Sequence, residues 1–225
     1  MKVSPEIKIT KDGSNTLFLQ DIDEHYHSVH GAIQESLHVF IKNGIQKISP
    51  NKCLINILEI GFGTGLNALL TLDYSIKKNL EIKYHTIEPY PLEDPKIWSA
   101  LNYCELINKN LNNQFDLLHR SDWNKEIFMT SFFSFLKYKS KVENCILIPN
   151  SYDVIYFDAF SPSSQPELWN ESVLEKMFLL LKKNGFLVTY CSKGIVKRKL
   201  KKIGFVIDSL PGPPGKREMT FAKKS

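Results

Sequence analysis

Hydrophobic and polar residues along this 225-residue chain fall into short apolar runs separated by stretches with helical spacing. Leu54 to Ile60 is apolar except for Asn56 and Glu59, a pattern that predicts a buried strand. It runs into Gly61-Phe-Gly-Thr-Gly65, and Leu66 to Lys78 then reads as a helix. Leu80 to Glu88 predicts a second strand. Asp94 to Asn108 predicts a helix with Asp94 as N-cap and Pro95 in its first turn. Phe115 to His119 reads as a short third strand closed by Ser121 and Asp122. Trp123 to Lys139 reads as an irregular helix, and Val142 to Pro149 as an edge strand or loop. Tyr152 to Phe157 is a further buried strand. After it come a helix over Glu167 to Lys183, a strand over Gly185 to Cys191 and a helix over Gly194 to Lys202. Phe205 to Leu210 and Arg217 to Ala222 predict two closing strands joined by Pro211-Gly-Pro-Pro-Gly215.

Ahead of this alternation, Glu6 to Gln20 has a hairpin pattern around Asp12-Gly13. Val29, Ile33, Leu37, Phe40 and Ile41 then recur at helical spacing between Asp21 and Gly44. Repeated strand–helix alternation predicts an α/β fold, a mostly parallel sheet with helices on both faces. We expect residues 1–50 to form a hairpin-and-helix extension packed on a core of residues 51–225, the whole being one structural unit.

Composition fits a soluble globular domain: 43% of residues are hydrophobic and 24% charged. No apolar run approaches the ~18 residues that would span a bilayer, and Met1 to Gln20 lacks the apolar core of a signal peptide. A cytoplasmic protein without membrane association is expected. Cys53, Cys104, Cys145 and Cys191 are widely spaced, which argues for reduced thiols over a disulfide framework or zinc site. His25, His27 and His30 lack an acid or cysteine at ligand spacing, so no metal is expected. Charge changes the picture. From Lys182 onward, twelve lysines and arginines face two acids, Asp208 and Glu218, although the whole chain carries only +5. Such asymmetry fits a polyanionic partner, or lysine-rich solvated helix faces.

Candidate chemistry gathers at the ends of the predicted strands. Alternate glycines let the backbone after the first strand curl closely around a ligand, and the helix that follows adds a positive field. Glu59 would bring a negative charge suited to an amino acid's ammonium. Leu66 stands where the third glycine of G-x-G-x-x-G belongs, so the dinucleotide fingerprint fails and an S-adenosylmethionine site is favoured. Glu88, ending the second strand, could accept both hydroxyls of a ribose. Asp122 could accept an adenine amino group or cap a helix. Asp158, delivered by Val154-Ile-Tyr-Phe157, could orient an amine, accept its proton, or cap the helix beyond Pro166.

Four motifs stand in order: Glu59-Ile-Gly-Phe-Gly-Thr-Gly-Leu-Asn67; Asp158-Ala-Phe-Ser-Pro162 with Pro166-Glu-Leu-Trp169; Ser192-Lys-Gly-Ile-Val-Lys-Arg198; and Gly215-Lys-Arg-Glu-Met219. With Tyr26-His-Ser-Val-His-Gly31 they resemble the methyltransferase domain of the MnmC-type tRNA-modifying enzymes. The resemblance implies a Rossmann-like S-adenosylmethionine-dependent methyltransferase. Its reaction would be N-methylation of an aminomethyl group on the wobble uridine of tRNA, giving 5-methylaminomethyl-(2-thio)uridine. It further implies that Glu59, Gly61, Gly63, Thr64, Gly65, Asn67, Glu88 and Asp122 hold the cofactor, and that Tyr26 belongs to a lid. Asp158 would engage the substrate amine, and Lys197, Arg198, Lys216 and Arg217 would meet the phosphates of the anticodon stem-loop. The bifunctional members carry a flavin-dependent oxidase domain after the methyltransferase. This chain ends at Ser225, so a stand-alone form without flavin is expected, its aminomethyl substrate supplied by other enzymes with which it could associate functionally.

Two other readings remain open on the residues alone. One is a methyl- or aminopropyltransferase of the same fold acting on a small amine, which would leave the basic tail idle. The other is a catalytically silent RNA-binding module, against which the intact glycine turn and the acids at successive strand ends argue.

Overall fold

The computed structural model describes residues 5–225; Met1 to Ser4, the start of the extension assigned to residues 1–50, lie outside the described residues. The Asp12-Gly13 turn closes a hairpin of β1 (Glu6–Ile9) and β2 (Asn15–Leu19), and a two-residue β3 (Glu24–His25) pairs with β2. Thr10 and Asp12 hold the turn through bonds to Ser14. The helix predicted from Asp21 begins only at Ala32. Residues 20–31 form a turn, β3 and a loop, and α1 (Ala32–Ser36) then continues as a wider π-type segment over Leu37–Lys42. The widening shows in Asn43 N–H, which donates five residues back to His38 O.

The core then alternates as expected: β4 (Leu54–Ile60), α2 (Leu66–Lys78) and β5 (Glu81–Ile87). The next helix is broken into α3 (Pro95–Ser99) and α4 (Tyr103–Ile107), with Asp94 capping Lys96 N–H at the start. Two further expectations fail. Phe115 to His119 is not a strand but lies within α5 (Asn112–Arg120), where Phe115 and Leu118 continue the helical spacing from the N-cap Leu111 and all three are buried. Trp123 to Lys139 is not helical; it folds as β6 (Ile127–Thr130) and β7 (Phe133–Tyr138). In β7 the inward positions are Phe133, Phe135 and Lys137, and a fully buried lysine disguised the period-two pattern. Lys137 Nζ donates to the carbonyls of Leu118 and His119 at the C-terminal end of α5 and lies 4.5 Å from the Trp123 ring centre. It caps a helix end that would otherwise hold unsatisfied carbonyls.

The remaining elements are β8 (Tyr152–Phe157), α6 (Glu171–Leu180), β9 (Leu181–Thr189), α7 (Gly194–Ile203), β10 (Val206–Pro211) and β11 (Glu218–Lys223). One eight-stranded sheet results, in the order β10-β11-β9-β8-β4-β5-β7-β6. Strands β7, β5, β4, β8 and β9 are mutually parallel, and antiparallel strands cover both edges. Alternate residues of the central strands serve two cores. Ile57, Val154 and Tyr156 pack with α2 on one face, whereas Leu58, Ile155 and Phe157 pack with α6 and α7 on the other. Among the described residues, no helix is long and apolar enough to cross a membrane.

The chain leaves β4 toward β5 on one side and returns as β8 on the other. This topological switch point opens a crevice at the carboxyl ends of the strands. Lys137→Met should lower unfolding free energy by about 2 kcal/mol in urea titrations, because it strands the Leu118 and His119 carbonyls, while the far-ultraviolet spectrum stays native.

Candidate functional site

Parallel pairing of β4 with β8 sets Ile60 opposite Phe157, so the turn after one strand meets the loop after the other. Asp158 N–H donates to Ile60 O at 3.0 Å, and Gly61 N–H to Ile87 O at 3.0 Å. Gly61 has φ +92°, and a Cβ there would stand 2.7 Å from the Asp158 carbonyl oxygen. Only glycine admits this approach. Gly63, at φ +51°, lies against the Tyr26 ring, which a Cβ would meet at 3.0 Å.

A cleft of about 990 Å³ opens here, at the upper end of the size range of small-molecule sites. Its lining includes Tyr26, Gly61, Gly63, Thr64, Asn67, Glu88, Asp158, Phe160, Tyr190 and Lys216. The hairpin segment forms part of the wall: Tyr26 stacks edge-on against Phe160, with centroids 5.1 Å apart. The Tyr26 hydroxyl is pushed well above its ordinary pKa by burial and by the nearby Glu88 carboxyl.

Glu88 follows β5, and its two carboxyl oxygens accept Gly63 N–H at 3.1 Å and Tyr90 N–H at 2.8 Å. Burial raises its pKa, and these backbone bonds pull the other way. It thereby braces the glycine turn as well as lining the cleft. Asp158 Oδ2 accepts a 2.7 Å hydrogen bond from Asn67 Nδ2 at the start of α2. The Asp158 side chain is partly open to the cleft and ringed elsewhere by protein. Desolvation, then the Glu35 carboxylate, push its pKa up to about 7, against the pull of Asn67 and Lys216.

Several residues serve in ways the sequence did not indicate. Glu59 is fully buried behind the turn and does not line the cleft, and burial pushes its carboxyl pKa upward. Thr86, Asn67 and Tyr84 flank it and offset part of that rise, without reaching hydrogen-bond geometry to its oxygens. Desolvation therefore works against the fixed negative charge expected at the turn. Gly65 caps α2 with φ +76° and stands outside the lining. The Thr64 hydroxyl faces His27 Nε2 and the Tyr103 hydroxyl, and His119 Nε2 bonds the Thr64 carbonyl at 3.2 Å. Burial pushes His27 down to about 4 and His119 to about 3, so both rings are neutral at pH 7. Glu35 and Tyr190 line the cleft, whereas His119, which no sequence signal marked, stands behind the turn.

The placing of Asp122 after a strand is corrected. The residue follows α5 rather than a strand, its side chain is 74% exposed, and Lys125 Nζ stands 3.4 Å away. It lines an adjoining recess that shares Phe62 and residues 91–93 with the cleft, not the cleft itself. The third parallel strand is β7, and the chain leaving it brings Lys141, Val142 and Glu143 into the lining where an acid after a third strand was expected. Of the basic candidates, Lys197 is largely buried and paired with Glu218 at 2.7 Å, so it is not free for phosphate. Arg198 and Arg217 are exposed. Lys216 turns into the cleft, 2.5 Å from Glu35 and 3.7 Å from the Tyr190 ring centre. Trp169 belongs to the core, with its ring N–H donating to Phe160 O.

The cleft suits S-adenosylmethionine. The acid at the end of β5 can meet a ribose, the bare backbone of the glycine turn admits close approach, and Asn67 Oδ1 is a buried acceptor without a partner. Residues 124–225 match the family model described as S-adenosyl-L-methionine-dependent methyltransferase. The chain is 32% identical over 219 residues to the tRNA 5-methylaminomethyl-2-thiouridine biosynthesis bifunctional protein MnmC of Leptospira interrogans, covering 92% of this chain and 33% of that protein. The protein of the same name from Marinomonas sp. is 26% identical, with 98% and 34% covered. The chain thus spans about a third of the length of the curated relatives it matches. The crystal structure of MnmC2 from Aquifex aeolicus superposes with a TM-score of 0.80 at 27% identity, covering 99% of this chain and 70% of that one. By sequence and by fold, the chain is similar to the S-adenosyl-L-methionine-dependent methyltransferases and, over nearly its whole length, to the MnmC-named proteins.

Proposed function

We propose that the chain methylates the primary amine of an aminomethyl group on the wobble uridine of tRNA, docking the anticodon stem-loop at the cleft mouth. The relatives' names specify 5-methylaminomethyl-2-thiouridine biosynthesis, and N-methylation of such an amine yields that group. The observation that carries the reading is Asp158, a carboxyl set beside the glycine turn, steered by Asn67 and tuned to about 7. When bound, S-adenosylmethionine supplies an electrophilic methyl group. Gly61 and Gly63 would admit it by their bare backbone, Glu88 would take its ribose hydroxyls and Tyr26 would cover it.

The acceptor amine arrives protonated and must lose its proton to become a nucleophile. Asn67 occupies Asp158 Oδ2, which leaves Oδ1 to align the amine and take that proton. Phe160 and Tyr190 line the outer cleft and offer faces for an extruded base. Arg198 and Arg217, exposed in the basic tail, would meet backbone phosphates on either side. Glu218 holds Lys197 back from the phosphates, and Asp122 faces the adjoining recess.

Asp158→Asn should cut methyl transfer to aminomethyl-tRNA by at least about 100-fold while leaving S-adenosylmethionine affinity, read by calorimetry, near wild type. A raised carboxyl pKa means that the basic form exists above pH 7 and is lost as pH falls through it. The kcat/KM profile should therefore drop below about pH 7. It should run level from there to about pH 9, where the amine itself titrates, if Asp158 takes the proton. A continued rise across that interval would reduce Asp158 to an aligning role. Arg198→Ala with Arg217→Ala should raise KM for tRNA about tenfold and flatten its salt dependence without affecting cofactor binding. Equal transfer to a free diamine and to tRNA would instead favour a small-amine methyltransferase.

A further inference from the structure

The C-terminal loop and the N-terminal segment meet inside the cleft through a single ammonium group. Lys216 follows the Pro211–Gly215 turn, which is closed by Gly212 N–H to Arg217 O at 3.1 Å and Lys216 N–H to Pro213 O at 2.9 Å. Its Nζ lies 2.5 Å from Glu35 Oε1 and 3.7 Å from the centre of the Tyr190 ring. Both partners are fixed. Glu35, its side chain only 8% exposed, accepts Ser28 N–H through Oε2 at 2.8 Å. The Tyr190 hydroxyl donates to Ala159 O at 2.8 Å, beside Asp158.

A carboxylate this buried demands a cation, and an aromatic face beside it favours the same charge. The cation present is a primary ammonium on a methylene, the same group that a protonated aminomethyl arm presents. The wider lining has the matching bias, with eight acidic side chains against two lysines. We infer that Glu35 and Tyr190 form the subsite for the acceptor's ammonium, and that Lys216 fills this subsite until substrate displaces it.

The consequence is a division of labour between the basic tail and the cleft. Exposed arginines face solvent and suit phosphate, whereas the interior selects a cation, so a neutral wobble base gains nothing from entering. Glu35 also lies within electrostatic reach of Asp158, and an ammonium exchanged onto Glu35 stands close to the group that would take its proton. Lys216 is thus a competitor for the amine rather than a phosphate contact. This subsite deepens the amine-methylation reading and rests on it.

The test uses probes that carry no phosphate: 5-aminomethyluridine nucleoside and its neutral isostere 5-hydroxymethyluridine, titrated into the protein with S-adenosylhomocysteine present. Wild-type protein should prefer the amine. Lys216→Met should bind it about tenfold more tightly than wild type, because the resident cation is gone. Glu35→Gln, which keeps an acceptor for Ser28 N–H, should bind the two nucleosides within about twofold of each other, and Tyr190→Leu should lose part of the preference. Thermal melting and S-adenosylmethionine affinity close to wild type establish that each variant is folded. Weaker amine binding by Lys216→Met, no amine preference in that variant, or an undiminished preference in Glu35→Gln overturns the subsite. The binding assay needs no turnover. Amine preference as described, with no methyl transfer to aminomethyl-tRNA, would sink the methylation reading alone; transfer to that tRNA with Glu35→Gln discriminating like wild type would sink the subsite alone.

Discussion

Two neighbouring parallel strands end at the same level, and the site depends on how closely the chain can pass between them. Gly61 leaves β4 with its Cα against the Asp158 carbonyl that leaves β8, and any side chain on Gly61 would push the two apart. The glycine turn and the candidate base are therefore a single backbone unit. Hydrogen bonds from Gly61 N–H to Ile87 O and from Asp158 N–H to Ile60 O extend the same lock to β5. Glu88 closes it by taking the Gly63 amide.

Around that lock, burial has one electrostatic effect on three carboxyls and leaves them with different duties. Desolvation raises Glu59, Glu88 and Asp158 alike. Glu59 has no exit to the cleft and lies wholly within the core. Glu88 is held by backbone amides that favour its charge. Asp158 lies between these cases, with one oxygen bound by Asn67 and the cleft on its other side, and so reaches a pKa suited to proton transfer near neutrality. Asn67 links the first of these carboxyls to the last: it flanks Glu59 and donates to Asp158.

Segments far apart in the sequence, around Tyr26 and Glu35 and around Lys216, build one wall of the cleft. Tyr26 covers the glycine turn, and His38 Nε2 stands 2.8 Å from Pro211 O, with Lys216 crossing to Glu35 between them. The hairpin extension is thereby tied to the loop between β10 and β11, far away in sequence. A local change in the proline–glycine loop would be felt at Glu35, and through it at Asp158.

What could be read from the sequence is what local chemistry enforces. Apolar runs such as Leu54 to Ile60 and Tyr152 to Phe157 have no alternative to burial, the glycine turn has no alternative to a tight curl, and Asp158 directly follows a core strand. Where the pattern was mixed, reading failed. Lys137 on an inward face hides the strand period of β7, and Phe115 to His119, short and mostly apolar, imitates the strand that β7 supplies. Asp122 was misplaced with it, because a strand-end role follows the strand. Sequence reads Glu59 as a charge at the turn and Lys197 and Lys216 as phosphate contacts, whereas burial raises the pKa of the first and the partners Glu218 and Glu35 engage the other two. Side-chain type and spacing determined the sheet's parallel core and the residues at its ends. Only tertiary packing decided which of those residues face the cleft and which carry charge there, since desolvation and pairing arise from neighbours distant in the chain.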